Sequence, residues 1–448
     1  MSAMHIAAEK TDPMLAMMEE AQQYMPGGVS ASGRFNPSIG HALYVKGGEG
    51  ARLFGVDGKD YIDFNLSHGA TFLGHGHPII KQAVQQAMDI GVYAGYETEY
   101  HTALARAVVN TIPCAEMVRY ANSGSEGTLT TLRMARAYTG KKKLLKFWGH
   151  FHGLHDYVLY NAHSPLEPRH DTNPYLPSLV ESAGVPSELD DLVIVIPWKD
   201  EAALEQAVRE HGHEIAAIMM EPINYNQGAI SASKEYMQFV RDIATRNNIV
   251  LIYDEVLSAF RTGPDCAQGY YGVTPDLCVL AKAVANGAPM AIIAGKADLL
   301  NTLTPVGDVL HSGTYVGNLV SVMLALASFN AVNQPGFYDP IYDSATYLYK
   351  SLNDLLAQYK IRGRAQGLGA RFGLFFGFTE PVETFEDTFK HDDAMAGRFI
   401  AACAKHGVYF HSYGKLVRGH HGISASHTRE EIDTALNRIE DALQELTA

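Results

Sequence analysis

Residues 249–287 read IVLIYDEVLSAFRTGPDCAQGYYGVTPDLCVLAKAVANG, and this stretch decides the fold. Its first apolar run, Ile249–Tyr253, ends at Asp254, and a second run over residues 277–281 ends at Lys282. Short apolar runs between turn residues are typical of strands that are buried on both faces of a parallel sheet. Since ligands of such sheets bind beyond the carboxyl ends of the strands, we expect Asp254 and Lys282 to lie at the same edge.

A buried amine beside a buried carboxylate has a specific chemical use. The amine of Lys282 would lose its proton easily in this place and become a nucleophile that forms a Schiff base. The carboxylate of Asp254 would keep a pyridine nitrogen protonated, which turns the ring into an electron sink. The alternative is an ordinary ion pair at the ends of two strands, and the spacing alone does not exclude it.

The composition is that of a globular chain: of 448 residues, 47% are hydrophobic and 19% are charged. This length exceeds the usual range of a single domain, so we expect two or more domains. The net charge of −14 argues against nucleic acid or an anionic membrane as the main partner. The four cysteines have no CxxC spacing, and neither a secretory signal nor a membrane-spanning apolar run is evident, so we expect a cytoplasmic protein with reduced thiols.

A second informative stretch is VRYANSGSEGTLTTLRMARAYTG, residues 118–140. It predicts a short strand, a turn at residues 122–126 and a helix that begins near Gly124. Ser123 and Glu126 have the spacing of a capping box. The free N–H groups and the dipole of such a helix start suit a phosphate group. An ordinary capped helix is the alternative.

A third stretch, FWGHFHG at residues 147–153, follows another predicted strand. Aromatic side chains between glycines at a strand end suit the face of a planar cofactor, or they pack the loop. Its histidines, His150 and His152, join His75 and His77 of an earlier glycine loop to raise the alternative of a metal-dependent hydrolase. No acid or cysteine at zinc spacing accompanies His75 and His77, and we expect no metal site.

Strand and helix patterns alternate through the middle of the chain, and after residue 338 helices and antiparallel strand patterns replace them. We expect an N-terminal segment with a small antiparallel part over residues 1–70, a large domain over 71–335 and a small C-terminal domain over 336–448. The patterns predict strands at 192–196, 215–220, 290–294 and 370–378, and helices at 200–210, 234–247, 318–332, 393–406 and 429–446.

Taken together, these motifs resemble the class III, fold type I pyridoxal-phosphate aminotransferases, in the branch of glutamate-1-semialdehyde 2,1-aminomutases and β-amino-acid aminotransferases. The resemblance extends from about Tyr24 to the C-terminus. It implies an α/β fold with a mixed, mostly parallel, seven-stranded sheet in the large domain and a smaller α/β domain built from both chain ends. The motifs, in chain order, are NSGSE at 122–126, FHG at 151–153, EP at 221–222, DEV at 254–256, Lys282 and SGTYVGN at 312–318.

The resemblance also implies roles for individual residues. Lys282 is the catalytic residue, which holds pyridoxal 5'-phosphate as a Schiff base and moves a proton. Asp254 pairs with the pyridinium nitrogen, while Val256 and Phe151 lie on opposite faces of the ring. Thr314 completes the phosphate site of a neighbouring subunit, which implies a homodimer. The full set of expected cofactor-binding residues is Ser123, Gly124, Ser125, Phe151, His152, Glu221, Asp254, Val256, Lys282 and Thr314.

Two departures from the family pattern affect the expected substrate. The family usually has two glycines after the lysine, where this chain has Ala285-Asn286-Gly287, and the aminomutases carry a glutamate near the C-terminus, where this chain has no acid between Val408 and Arg429. Arg418 falls where some β-amino-acid aminotransferases have a carboxylate-binding arginine, and Arg34 lies one residue out of register with another. We expect both arginines to bind substrate carboxylates; a surface arginine is the alternative at 418.

The resulting prediction is a pyridoxal-phosphate aminotransferase that moves an amino group between a small amino acid or amine, such as a β-amino acid, and a keto acid. The alternative is glutamate-1-semialdehyde 2,1-aminomutase, which moves the amino group within one molecule. A non-catalytic scaffold on the same fold is a third interpretation, and the presence of both Lys282 and Asp254 argues against it. The expected partners are therefore an amino donor, a keto acceptor and a second copy of the chain.

Overall fold

A seven-stranded sheet forms the centre of the fold. The computed structural model describes residues 12–164, 175–414 and 420–448. The strand Ala291–Gly295 runs antiparallel to both of its neighbours, and all the other pairings in the sheet are parallel. This confirms the predicted mixed, mostly parallel sheet. The strands, in spatial order, are Met117–Ala121, Ala291–Gly295, Leu277–Leu280, Val250–Glu255, Ile215–Met220, Lys143–Phe147 and Val193–Ile196.

Helices cover the two faces of this sheet. The longest apolar helix, Leu319–Val332, packs against two helices from the N-terminal half and contributes to the main core. Its N-cap is Asn318, whose side chain accepts a hydrogen bond from the N–H of Ser321. The helices around the sheet are Pro78–Ile90, Glu99–Thr111, Gly124–Thr139, Glu201–His211, Lys234–Arg246, Cys266–Tyr271, Ala297–Leu300 and Leu319–Val332.

Two smaller sheets lie outside the central one. The first joins both ends of the chain, because Val408–Tyr409 pairs in parallel with Asp60–Asp63. Asp60–Asp63 also pairs with Arg52–Gly55, which pairs in turn with Val45–Glu49. The second contains Gly363–Leu368, Arg371–Phe376 and His421–Gly422. Both agree with the expected smaller α/β part built from the two chain ends, and the domain boundaries at residues 70 and 335 stay a prediction. The remaining helices are Pro13–Gln22, Asp339–Gln358, Asp393–Lys405 and Arg429–Thr447, and the remaining strand pairs are Phe35–Asn36 with His41–Ala42 and Ile223–Asn224 with Ile230–Ser231.

A short left-handed turn, which the sequence patterns did not predict, connects the N-terminal sheet to the next helix. Leu66, Ser67 and His68 have φ angles of 55°, 54° and 57°, and Gly69 follows with 87°. Left-handed backbone costs L-residues about 1–2 kcal/mol each, so the surrounding contacts must hold this turn in place. The buried carboxylate of Asp63 does so in part, because it accepts hydrogen bonds from the N–H groups of Asn65 and Leu66.

Most predicted element positions are confirmed within a few residues. The capping box differs in one contact: Ser123 Oγ accepts from the N–H of Glu126 at 3.2 Å, but the Glu126 carboxylate accepts from the N–H of Asn122, one residue before the cap. Within the three described ranges, no helix combines the length and apolarity that crossing a membrane requires. The described residues also contain no group of three or more His, Cys, Asp or Glu side chains placed to hold a metal ion.

Candidate active site

Asp254 and Lys282 meet at the carboxyl edge of the central sheet, as their positions after two apolar runs predicted. Their strands are adjacent and parallel, with Asp254 paired to Val279, three residues before Lys282. Both side chains line a cavity of about 330 Å³. Nine of the ten predicted cofactor-binding residues line this cavity, and Thr314 does not. The nine are Ser123, Gly124, Ser125, Phe151, His152, Glu221, Asp254, Val256 and Lys282.

A buried histidine orients the Asp254 carboxylate. Nδ1 of His152 lies 2.8 Å from Oδ2 of Asp254, and the N–H of Val256 donates to Oδ1 at 3.0 Å. Burial lowers the pKa of His152, although Asp254 opposes the shift. The ring is therefore neutral near pH 7 and donates its Nδ1 proton to the carboxylate. This leaves Nε2 of His152 buried, with no hydrogen-bond partner within residues 12–164, 175–414 and 420–448.

Lys282 is prepared to act as a nucleophile. Burial lowers the pKa of its amine to about 8, and the guanidinium of Arg371 adds to the shift, while Glu221 and Asp254 oppose it. About a tenth of the amine is consequently unprotonated at pH 7, far more than for an ordinary lysine. The residue has a φ of 50°, an unusual backbone conformation for a side chain of this size, and residues in such conformations cluster at functional sites.

Glu221 is a second acid at the cavity, at the end of the neighbouring strand Ile215–Met220. Burial raises its pKa to about 8, with the nearby Asp254 charge as a further cause. Its carboxyl oxygens accept hydrogen bonds from the N–H of Phe151 and from Nδ2 of Asn226, each at 2.8 Å. Glu221 is thus mostly protonated at pH 7, and the charge of nearby Asp254 is one reason.

The start of the helix Gly124–Thr139 also lines the cavity, through Gly124 and Ser125. The N–H groups of a first helical turn have no partner within the helix, and they carry the positive end of the dipole. A side chain at position 124 would place its Cβ 2.7 Å from Cγ2 of Val256, so glycine is needed for this close approach. Ser125 Oγ accepts from the N–H of Leu154 at 3.0 Å, which joins the helix start to the loop after Phe151.

These features fit pyridoxal phosphate. The cavity has an amine for its aldehyde, an aspartate for its ring nitrogen and a helix start for its phosphate. Phe151 and Val256 both line the space in which the ring would lie. Asn122, next to the helix start, has a buried side-chain oxygen that has no partner in the parts of the chain that the structure describes. The assignment of each residue to a part of the cofactor remains a proposal.

Two predicted site residues, Thr314 and Arg34, are not among the residues that line this cavity, and a third is not described. Thr314 is exposed and away from the cavity of its own chain, so its expected role in a neighbouring subunit stays a prediction. Arg34 ends a short turn beside His68 and Tyr413: a Cβ at the preceding Gly33 would lie 3.8 Å from Tyr413 and 4.0 Å from His68. Arg418 lies outside the described residues.

Sequence reasoning missed two arginines near Lys282. Arg261 and Arg371 are both fully buried, and the charges of both lower the pKa of Lys282. The available signal was an arginine at the head of the otherwise apolar strand Arg371–Phe376, whose residues are all buried. The sequence pattern predicted a strand at 370–378 and assigned no role to the arginine within it.

Comparison with known proteins places the chain among aminotransferases. Residues 36–443 match the family "Aminotransferase class-III". The chain is 36% identical over 422 residues to the glutamate-1-semialdehyde 2,1-aminomutase of Nitrosomonas europaea, and the match covers 94% of each protein.

Two solved structures extend the similarity to the fold. An omega-transaminase from Sphaerobacter thermophilus has a TM-score of 0.90 at 26% identity, over 98% of this chain and 99% of that one. A beta-phenylalanine aminotransferase from Variovorax paradoxus has a TM-score of 0.82 at 26% identity, over 95% of this chain and 92% of that one. The predicted family resemblance and fold type are therefore confirmed.

Proposed function

The chain belongs to the class-III aminotransferase family of pyridoxal-phosphate-dependent enzymes, and we propose that it moves the amino group of glutamate-1-semialdehyde from C2 to C1. The observation that carries this proposal is the 36% identity to an aminomutase over 94% of both proteins. The proposal takes the second of the two reactions that the sequence predicted, since the comparison favours it over transfer between two molecules. The product of this rearrangement is 5-amino-4-oxopentanoate.

Each of the cavity residues has a different role in such a reaction. Pyridoxal phosphate, when bound, supplies an electron sink and carries the amino group between the two carbons. The amine of Lys282 holds the cofactor and takes up and returns protons at the reacting carbons. Asp254, oriented by His152, keeps the ring nitrogen protonated, and this charge draws electrons from the reacting carbon.

Glu221 and the helix start position the cofactor. A protonated Glu221 beside the ring supplies a hydrogen-bond donor without adding a second negative charge next to Asp254. The N–H groups at Gly124 and Ser125 bind the phosphate. The phosphate end of the cofactor therefore stays in place while its aldehyde end reacts with the amine of Lys282 or of the substrate. These roles are proposals drawn from the geometry and from the family.

The test is turnover of glutamate-1-semialdehyde by the purified, cofactor-loaded enzyme with no amino acceptor present. We expect 5-amino-4-oxopentanoate to accumulate, and we expect no product from a Lys282→Ala variant. If the enzyme leaves the substrate unchanged and instead needs a keto acid to turn over, the aminomutase proposal is wrong.

A second candidate is an intermolecular aminotransferase for a β-amino acid. It is favoured by the absence of any Asp or Glu in residues 410–428, where the resemblance leads us to expect an acid in an aminomutase. The similarity to an omega-transaminase and to a beta-phenylalanine aminotransferase points the same way. The discriminating measurement adds 3-aminobutanoate without an acceptor: release of one equivalent of keto acid, with loss of the cofactor's absorbance band, supports this candidate, and an unchanged band excludes it for this substrate.

We further propose that the enzyme works as a homodimer in the cytoplasm. Exposed apolar side chains support a subunit interface, among them Tyr96 and Tyr315, which are 75% and 69% exposed in the single chain. Tyr315 directly follows Thr314, the residue expected to reach the neighbouring subunit. Light scattering should give about twice the mass of one chain, and a monomer with full activity would exclude the shared site.

A further inference from the structure

Two arginines lie buried near Lys282 without a carboxylate partner. Arg371 donates from Nη2 to Nδ1 of His420 at 2.9 Å, and its Nε and Nη1 have no partner among the described residues. Arg261 donates to the carbonyl oxygens of Gly69 and Leu257, and no described residue accepts from its Nη1. Both guanidinium groups are 0% exposed.

Among the described residues, no acid lowers the positive charge around Arg371. Burial lowers the pKa of Arg371 to about 10, and the groups that oppose this shift are the phenols of Tyr413, Tyr225 and Tyr349. No ion pair with an acid involves Arg371 within the described parts of the chain, and residues 410–428, which flank His420, contain no Asp or Glu at all. A buried cation without a counter-ion costs several kcal/mol, so this arrangement is suited to an anion that arrives from outside the chain.

Arg371 is also next to the wall of the cofactor cavity. A Cβ at Gly69 would lie 2.4 Å from Nη1 of Arg371 and 3.0 Å from Cδ1 of Leu257. Leu257 and Ala70, the residue after Gly69, both line the cavity with Lys282. The missing side chain at Gly69, in the left-handed turn, is therefore what gives the guanidinium its place behind this wall.

Neutral polar groups surround the guanidinium on its other sides. Tyr413 stacks edge-on against His420 and shares a hydrogen bond with Nδ1 of His68. Burial lowers the pKa of His68 to about 4, and the charges of Lys282, Arg34 and Arg371 add to the shift. These groups can hold an anion with hydrogen bonds, while Arg371 and the mostly protonated Lys282 supply positive charge near it; the carboxylate of Asp63 partly opposes the shift of His68.

We propose that Arg371 is the anchor for the carboxylate of the substrate and selects molecules that carry a carboxylate a few bonds from the reacting carbon. The inference rests on the proposed function, because it assigns a specificity-determining residue to the same site. Arg34 and Arg418 remain expected contacts of the substrate. Arg371, in the strand Arg371–Phe376, is proposed as the buried contact of its carboxylate. Amines without a carboxylate would leave the guanidinium unpaired and bind poorly.

A structural role for Arg371 makes different predictions. An arginine that holds the fold together through His420 would lower the unfolding temperature when it is replaced. An arginine kept for the substrate destabilises the protein when no substrate is bound. A hydrophobic side chain of similar volume would remove the buried, unpaired charge and so would not lower stability. We therefore expect Arg371→Met to unfold at the same temperature as the unmodified enzyme or at a higher one.

The experiment measures binding of pentanoate, which has the carboxylate but neither an amine nor a carbonyl, to the cofactor-loaded enzyme by titration calorimetry. We expect Arg371→Met to weaken binding about 10- to 100-fold, the loss expected for one charged hydrogen-bonded pair. Pentanamide, the neutral analogue, should bind weakly and equally to both proteins. Arg371→Lys keeps the charge without the planar fork and should give an intermediate affinity.

Arg364→Met is the matched control, because it removes the same charge from the adjacent strand, where Arg364 donates to the carbonyl oxygen of Thr379. It should bind pentanoate as the unmodified enzyme does. The proposal is overturned if pentanoate does not bind the unmodified enzyme, if Arg371→Met binds it equally well, or if that variant's unfolding temperature falls while its affinity is unchanged. Turnover of glutamate-1-semialdehyde is measured separately: Arg371-dependent pentanoate binding without turnover retains the anchor and rejects the proposed function.

Discussion

Nδ1 of His152 lies 2.8 Å from Oδ2 of Asp254, and both side chains are buried at the carboxyl edge of the central sheet. The two residues come from different strand ends, 102 positions apart in the chain. Because the histidine is neutral and donates its only ring proton, it fixes the direction of the carboxylate without cancelling its charge. The free oxygen lone pairs of Asp254 can then face the cavity.

Asp254→Asn should reduce turnover by about 100- to 1000-fold, the effect usually seen when one preorganised electrostatic group is removed from a site. An amide has no charge with which to keep a pyridine nitrogen protonated. The measurement is turnover of glutamate-1-semialdehyde, with bound cofactor quantified by absorbance. Glu255→Gln is the control: Glu255 is the next residue, points to the opposite face of the sheet and hydrogen-bonds Ser258 and Ala267. A loss under tenfold in Asp254→Asn would contradict its assigned role.

The rate at which the apoprotein takes up pyridoxal phosphate should depend on pH through Lys282. Only the unprotonated amine reacts, and burial together with Arg371 lowers its pKa to about 8. Below that value the rate should rise about tenfold per pH unit, and above it the rate should level off. Stopped-flow absorbance measures this directly. A rate that continues to rise up to pH 10 would show that the amine has the pKa of an ordinary lysine.

Glu221→Gln should change how stability depends on pH. The unfolded chain loses the Glu221 proton near the ordinary pKa of 4.5, whereas the folded chain keeps it to about 8. The folded state binds more protons between these values, so its contribution to the free energy of unfolding falls as the pH rises through this window. Glutamine does not ionise and lacks this loss.

Urea unfolding of the apoproteins at pH 5 and at pH 8 tests the Glu221 prediction. The stability of Glu221→Gln relative to the unmodified protein should increase with pH, by up to about 1.4 kcal/mol per pH unit within the window. Glutamine still accepts from the N–H of Phe151, so the local hydrogen bond is retained. A difference between the two proteins that is the same at both pH values would show that Glu221 ionises normally in the folded chain.

Gly124→Ala should weaken cofactor binding by about tenfold or more, because the new methyl group would lie 2.7 Å from Cγ2 of Val256 and push the helix start away from the ring. The measurement is equilibrium binding of pyridoxal phosphate. Gly397→Ala, in the helix Asp393–Lys405, is the control, since the added Cβ would meet only Ser38 Oγ at 3.8 Å. That change should leave binding unaltered and stabilise the helix by up to about 1 kcal/mol.

The sequence predicted the central sheet well because its strands are almost wholly apolar and end in polar residues. The run Ile249–Tyr253 and the observed strand Val250–Glu255 coincide closely, and the shared edge of Asp254 and Lys282 followed from strand direction alone. The mixed character of the sheet came from the family resemblance. Apolar runs show where strands are buried, but they do not give the direction of Ala291–Gly295 relative to its neighbours.

The parts that the sequence did not predict depend on contacts between distant segments. The burial of Arg371 depends on Gly69 and Gly422, which leave room on either side of its side chain. These glycines are about 300 and 50 residues away in sequence, and which strands pair is not known from the sequence. The unpaired state of its guanidinium depends on the absence of acids in space. Local propensity likewise contains no signal for three consecutive left-handed residues at 66–68.

The left-handed turn at residues 66–69 affects protein engineering in two ways: glycine can relieve its backbone strain, and most other substitutions there should be harmful. Three left-handed side-chain-bearing residues store about 3–6 kcal/mol, a large share of the roughly 5–15 kcal/mol that separates folded from unfolded states of typical proteins. Ser67→Gly, away from the cavity lining, would relieve part of this cost, although it would also remove the hydrogen bond that Ser67 Oγ accepts from Thr71 Oγ1 at 3.0 Å. Random mutagenesis that introduces β-branched side chains here should instead yield mostly insoluble protein, so libraries intended to broaden substrate range are better directed at Leu257 and the rest of the cavity wall.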